Sequence, residues 1–174
     1  MINVAKDPRR ARAALSGPPR LTVHLRRATR HGRIPGAAAL QRWVELALGR
    51  RARGGEISLL VVGPARSRSL NQRYRGQDHA TNVLSFPAAP AALASAGPAY
   101  GAFLGDLVIC PQVLRREARA QGKAERAHWM HLVIHGALHL IGYDHQRAAD
   151  ARRMERREAR LLRALGVANP YRSA

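Results

Sequence analysis

The segment HGALHLIGYDH, residues 135–145, places three imidazoles where they can share one ion. His135 and His139 are four apart, so on a helix they lie one turn apart on the same face. Gly142 follows, and a glycine takes positive φ without steric cost, so it can end the helix and turn the chain back. His145 then arrives as a third nitrogen ligand. Three neutral imidazoles suit zinc and leave a fourth tetrahedral position for water, as in a catalytic rather than a closed structural site. The chemistry on offer is water made acidic, its pKa lowered from about 16 toward about 7.

Gly136 stands beside the first histidine, where zinc proteases keep the glutamate that takes the proton from water and passes it to the leaving amine. Peptide hydrolysis therefore lacks its base. A phosphodiester differs, because its leaving group is an alkoxide and its charge develops on phosphate oxygens, which an ion and a nearby arginine can meet. His131, one turn before His135, is expected to pack behind the ligands rather than join them. His128 is expected on the helix surface, and Asp144 beside a ligand imidazole as its hydrogen-bond partner. His24, His31 and His79 have no such neighbours. Cys110 is the only cysteine, so there is no intramolecular disulfide, and at the end of a strand it reads as a small buried apolar residue.

These residues sit in a strongly basic chain. Thirty Lys and Arg against eleven Asp and Glu give a net charge of +19 over 174 residues. Such a surface favours a polyanion through counterion release and bidentate phosphate contact, with nucleic acid the leading partner and an anionic membrane surface second. No apolar run approaches the roughly 20 residues that span a bilayer. The opening MINVAKDPRRARAALSGPPR lacks the apolar core of a signal peptide, so a cytoplasmic protein with a flexible basic arm over 1–19 is expected.

The elements that must position the histidines follow from hydrophobic period. Strands are predicted at LTVHL (21–25), EISLLVV (56–62), NVLSF (82–86) and GDLVIC (105–110). Helices are predicted at 36–48, 65–75, from Pro111 to about Gly122, from about Glu125 to Leu140, and over 146–166. An Ala/Pro/Gly stretch, 88–101, reads as a loop. The expected fold is one α+β domain over 20–172: a small mixed sheet of about four strands covered by helices, with the zinc site at the C-terminal end of a central helix. With neither a Walker loop nor G-x-G-x-x-G, no nucleotide cofactor is expected.

AHWMHLVIHGALHLIGYDH (127–145) resembles the signature of the bacterial YbeY endoribonucleases. LNQRYRGQDHATNVLSFP (70–87) and LGDLVIC (104–110) are similar to two other blocks of that family, in the same order, and RRMERREARLLRALGVANPY to its closing helix. The likeness covers roughly residues 56–171. It implies a zinc-dependent, single-strand-specific endoribonuclease acting in ribosomal RNA maturation and ribosome quality control. Its partners would be ribosomal RNA and the small ribosomal subunit. It also implies His135, His139 and His145 as ligands and Arg75 as the arginine near the metal that serves RNA cleavage. Among the chain's many arginines, only the resemblance singles out Arg75. The competing reading is a non-catalytic RNA-binding assembly factor with a structural zinc.

Overall fold

The computed structural model describes residues 20–30, 32–52, 54–89 and 102–171. The basic arm 1–19, His31 and most of the 88–101 loop lie outside the described residues. Along the chain run β1 (Thr22–Arg27), α1 (Ala37–Leu48), β2 (Glu56–Val61), α2 (Pro64–Arg75), β3 (Val83–Pro87) and β4 (Phe103–Ile109), then α3 (Pro111–Ala120), α4 (Glu125–Leu140) and α5 (Ala148–Ala164). A short 3₁₀ turn, Gly49–Ala52, follows α1. This is the order the patterning predicts. Pro64 and Pro111 open α2 and α3, where a missing N–H costs no helical hydrogen bond.

The four strands form one mixed sheet in the order β1-β2-β4-β3. β1, β2 and β4 are parallel, and β3 pairs antiparallel with β4 at the edge. Parallel neighbours need a crossover, which α1 supplies between β1 and β2, and α2 with β3 between β2 and β4. Alternation then sorts the side chains. Ile57, Leu59 and Val61 of β2, with Leu107 and Ile109 of β4, enter the main core beneath α1 and α4. Val62, Leu84 and Val108 form a smaller cluster with Leu60, Leu70 and Phe86. Leu70 belongs to α2, so α2 covers the sheet face away from α4.

α4 packs against α1, α3, α5, β3 and β4. Trp129, Met130, Leu132, Val133, Ile134, Ala137, Leu138 and Leu140 are all buried along it. A helix apolar on several faces is one enclosed on several sides. Each buried large side chain contributes about 1.5–3 kcal/mol, so α4 is fixed over most of its length. The histidine turn is mounted on its end.

Candidate metal centre

α4 closes in a Schellman motif. The Tyr143 N–H donates to the Leu138 carbonyl at 3.1 Å and the Gly142 N–H to the His139 carbonyl at 3.1 Å, with Gly142 at φ +86°. The positive φ expected of Gly142 is thus present, and it turns the chain so that His145 faces back toward the helix. Asp144 Oδ1 accepts the His145 backbone N–H at 2.7 Å. Asp144 therefore pins the backbone of His145, where a bond to an imidazole was expected.

The three predicted ligands converge. His135 Nε2 and His139 Nε2 are 3.2 Å apart. Ring centroids lie 4.7 Å (135–139), 5.6 Å (135–145) and 5.0 Å (139–145) apart. One nitrogen from each ring lies within 4.8 Å of the others. Two imidazoles on a tetrahedral zinc, each about 2.0–2.1 Å from the ion, place their nitrogens about 3.3 Å apart, so the first pair already has the right spacing. Burial, then the His135 and His145 charges, push His139 down to about 4, which keeps it neutral, the form a ligand needs. The residues present fit the ion.

Behind the three histidines lies a residue that the sequence reading missed. Glu158 of α5 is fully buried, and its Oε1 is 2.8 Å from His135 Nδ1. Its Oε2 lies 3.3 Å from His131 Nε2 and also accepts from the Tyr171 hydroxyl. Burial alone would raise this carboxyl, but hydrogen bonds from His131 and His135, the His135 charge and the Tyr171 hydroxyl outweigh it and hold it at about 2. A signal was available: Met154, Glu158, Leu161 and Leu162 form one buried stripe of α5, with a charge where an apolar residue is expected. His131 sits behind the ligands as expected. His128 does not lie on the surface. It is 4% exposed and its Nε2 is 3.0 Å from Glu117 Oε2, because α3 packs over that face of α4. Cys110 is buried, as expected.

Arg75 ends α2 and is exposed. Among the described residues no hydrogen bond or ion pair engages its guanidinium, whereas Arg68 bonds both oxygens of Asp78 and Arg73 lies over the Tyr74 ring at 5.4 Å.

Gly136 has a packing cause. A Cβ there would stand 2.8 Å from Leu107 Cδ2, 3.1 Å from Ser85 Oγ and 3.3 Å from Val83 Cγ2, since α4 rests on β3 and β4 at this point. A side chain at 136 would crowd the sheet, so the close approach of α4 to β3 and β4 favours glycine at this position. Gly136→Ala sets a helix-propensity gain of about 1 kcal/mol against an overpacking cost of about 1–3 kcal/mol. Leu107 is fully buried and has little freedom to yield, so the cost should win. A denaturant midpoint lowered with an unchanged slope is expected; a raised midpoint would mean that β3 gives way.

The family model described as Endoribonuclease YbeY matches residues 33–166. The chain belongs to the YbeY endoribonuclease family. It is 51% identical over 138 residues to the endoribonuclease YbeY of Halorhodospira halophila, covering 79% of this chain and 88% of that protein. It is 51% identical over 152 residues to that of Pseudomonas entomophila, covering 87% and 93%. The solution structure of TM1509 from Thermotoga maritima shares the fold, with TM-score 0.54 and 22% identity, covering 87% of this chain and 99% of that one. The YbeY match takes in α1 to α5, and with them the three histidines, Arg75 and Glu158. Among the described residues no helix is long and apolar enough to cross a membrane.

Proposed function

We propose that this chain is a zinc-dependent, single-strand-specific endoribonuclease acting in ribosomal RNA maturation and ribosome quality control. On this reading it works in the cytoplasm on ribosomal RNA at the small ribosomal subunit, through one domain over 20–172 preceded by a basic arm at 1–19. The observation that carries the reading is the convergence of His135, His139 and His145 at ligand spacing in a YbeY chain. A zinc ion held there supplies positive charge beside a scissile phosphate and makes a neighbouring water acidic. The chain's own residues do the rest. α4 and the Gly142 turn hold the three rings in place, and the Arg75 guanidinium takes two phosphate oxygens and meets the charge that develops on them. The surplus of cations binds the RNA backbone without regard to sequence.

The test is purified protein with an unstructured and a structured RNA, with and without a chelator. Cleavage of the unstructured RNA alone is expected, lost on chelation and restored by zinc, with casein uncut throughout. Binding should weaken steeply as salt rises, because Arg–phosphate contacts release counterions. RNA bound tightly yet uncut under every condition would favour the assembly-factor reading. A flat salt dependence would remove the basic surface from the account.

A further inference from the structure

We infer that Glu158 is a positioning residue for the metal centre: from α5 it fixes His135 in the tautomer that offers Nε2 to the ion, and His131 and Tyr171 hold it there. The inference rests on the metal reading above. A carboxylate with no solvent exposure is costly unless it is fully hydrogen-bonded, and Glu158 is met from three sides. Its Oε1 lies 2.8 Å from His135 Nδ1, and its Oε2 3.3 Å from His131 Nε2 and against the Tyr171 hydroxyl. The Glu158 carboxylate faces Nδ1 and the neighbouring imidazole faces Nε2, so a proton on Nδ1 donated to Glu158 leaves Nε2, 3.2 Å from His139 Nε2, as the nitrogen His135 would offer to an ion.

α5 thus reaches the metal centre without contributing a ligand. Tyr171 extends the chain of support to the residues after α5, its own N–H donating to Asn169 Oδ1 at 3.0 Å. Partners of this kind orient ligand imidazoles and raise their basicity, and losing one weakens metal binding by about 10–100-fold. Two rival roles are open to a buried Glu158. It can pin α5 to α4 and nothing more, or it can ligate a second ion with His131 and His135, which also bring nitrogens close to it.

The experiment measures zinc affinity by competition with a chromophoric chelator for the wild type, Glu158→Gln, Tyr171→Phe and His139→Ala. Unfolding of each zinc-free protein is measured in parallel. Glu158→Gln keeps the shape and removes the charge, and should bind zinc about 10–100-fold more weakly while still folded. Tyr171→Phe deletes one donor at an exposed residue and should cost a few-fold, which keeps the inference testable if Glu158→Gln does not fold. In the zinc-loaded wild type, ¹⁵N NMR should show His135 protonated at Nδ1, with a slowly exchanging proton. Wild-type affinity in both Glu158→Gln and Tyr171→Phe, with lowered zinc-free stability, would leave only the pinning role and overturn the inference. Two zinc ions per chain would make Glu158 a ligand and overturn it differently. Zinc retained by His139→Ala would instead strike the metal reading itself, and this inference with it.

Discussion

His139→Ala is expected to abolish stable zinc binding while leaving the protein folded. Zinc sites in small peptides are worth about 10–16 kcal/mol, so one ligand of a few carries several kcal/mol. At about 1.4 kcal/mol per tenfold, its loss weakens binding on the order of a thousandfold or more. His139 is the ligand to remove, because burial and its two histidine neighbours already hold it neutral, with a pKa of about 4. Its role can hardly be that of a surface charge. The helix should survive, since Val133, Ile134, Ala137 and Leu138 are fully buried without it. Elemental analysis should find close to one zinc per wild-type chain and almost none in the variant. Stability gives a second readout. Zinc at a hundred times its Kd adds about 2.7 kcal/mol to the folded state, which at about 2–4 °C per kcal/mol raises the melting temperature by about 5–11 °C. The variant should show no such rise. Full zinc content in His139→Ala would remove the ligand assignment.

What the sequence made legible was what depends on local spacing. The i, i+4 histidines with a glycine after them imply a helix end and a third histidine returning toward it, and the Schellman closure at Gly142 is that helix end. β2 and β4 read as apolar strands because both lie in the interior of the sheet. What depends on which element lies against which was not legible. Glu158 interrupts an apolar stripe of α5, but only the packing of α5 onto α4 shows which group that charge meets and makes it a buried acceptor. His128 follows the same logic, since Glu117 reaches it from α3. Gly136 shows the converse. A residue read as a catalytic omission also sits at a close contact, set by the side chains of Leu107, Ser85 and Val83 on two strands that no local pattern brings to it.

Arg75→Ala should keep the fold and the zinc and lose RNA cleavage. Once Gly136 is explained by packing, the reading of the reaction depends on what meets the charge on phosphate, and the chain offers a specific candidate. Along α2, Arg68 is committed to Asp78 and Arg73 lies over Tyr74, while Arg75, at its end, is exposed with no hydrogen bond or ion pair to another described residue. A guanidinium with no intramolecular partner keeps its donor fork available for two phosphate oxygens. Because no described residue bonds to the exposed Arg75 side chain, its removal should change stability by no more than about 0.5 kcal/mol. If it acts as a donor of oxyanion-hole size, cleavage should fall by roughly a hundredfold or more. Arg75→Lys should recover only part of that, since an ammonium restores the charge and not the fork. The zinc content of both variants separates this loss from a damaged metal site. A general binding role predicts something else: Arg75→Ala would weaken RNA affinity about as much as any other exposed arginine and leave the maximal rate alone. Full cleavage by Arg75→Ala, still abolished by chelator, would mean that the three-histidine site works without this arginine and that another cation faces the phosphate.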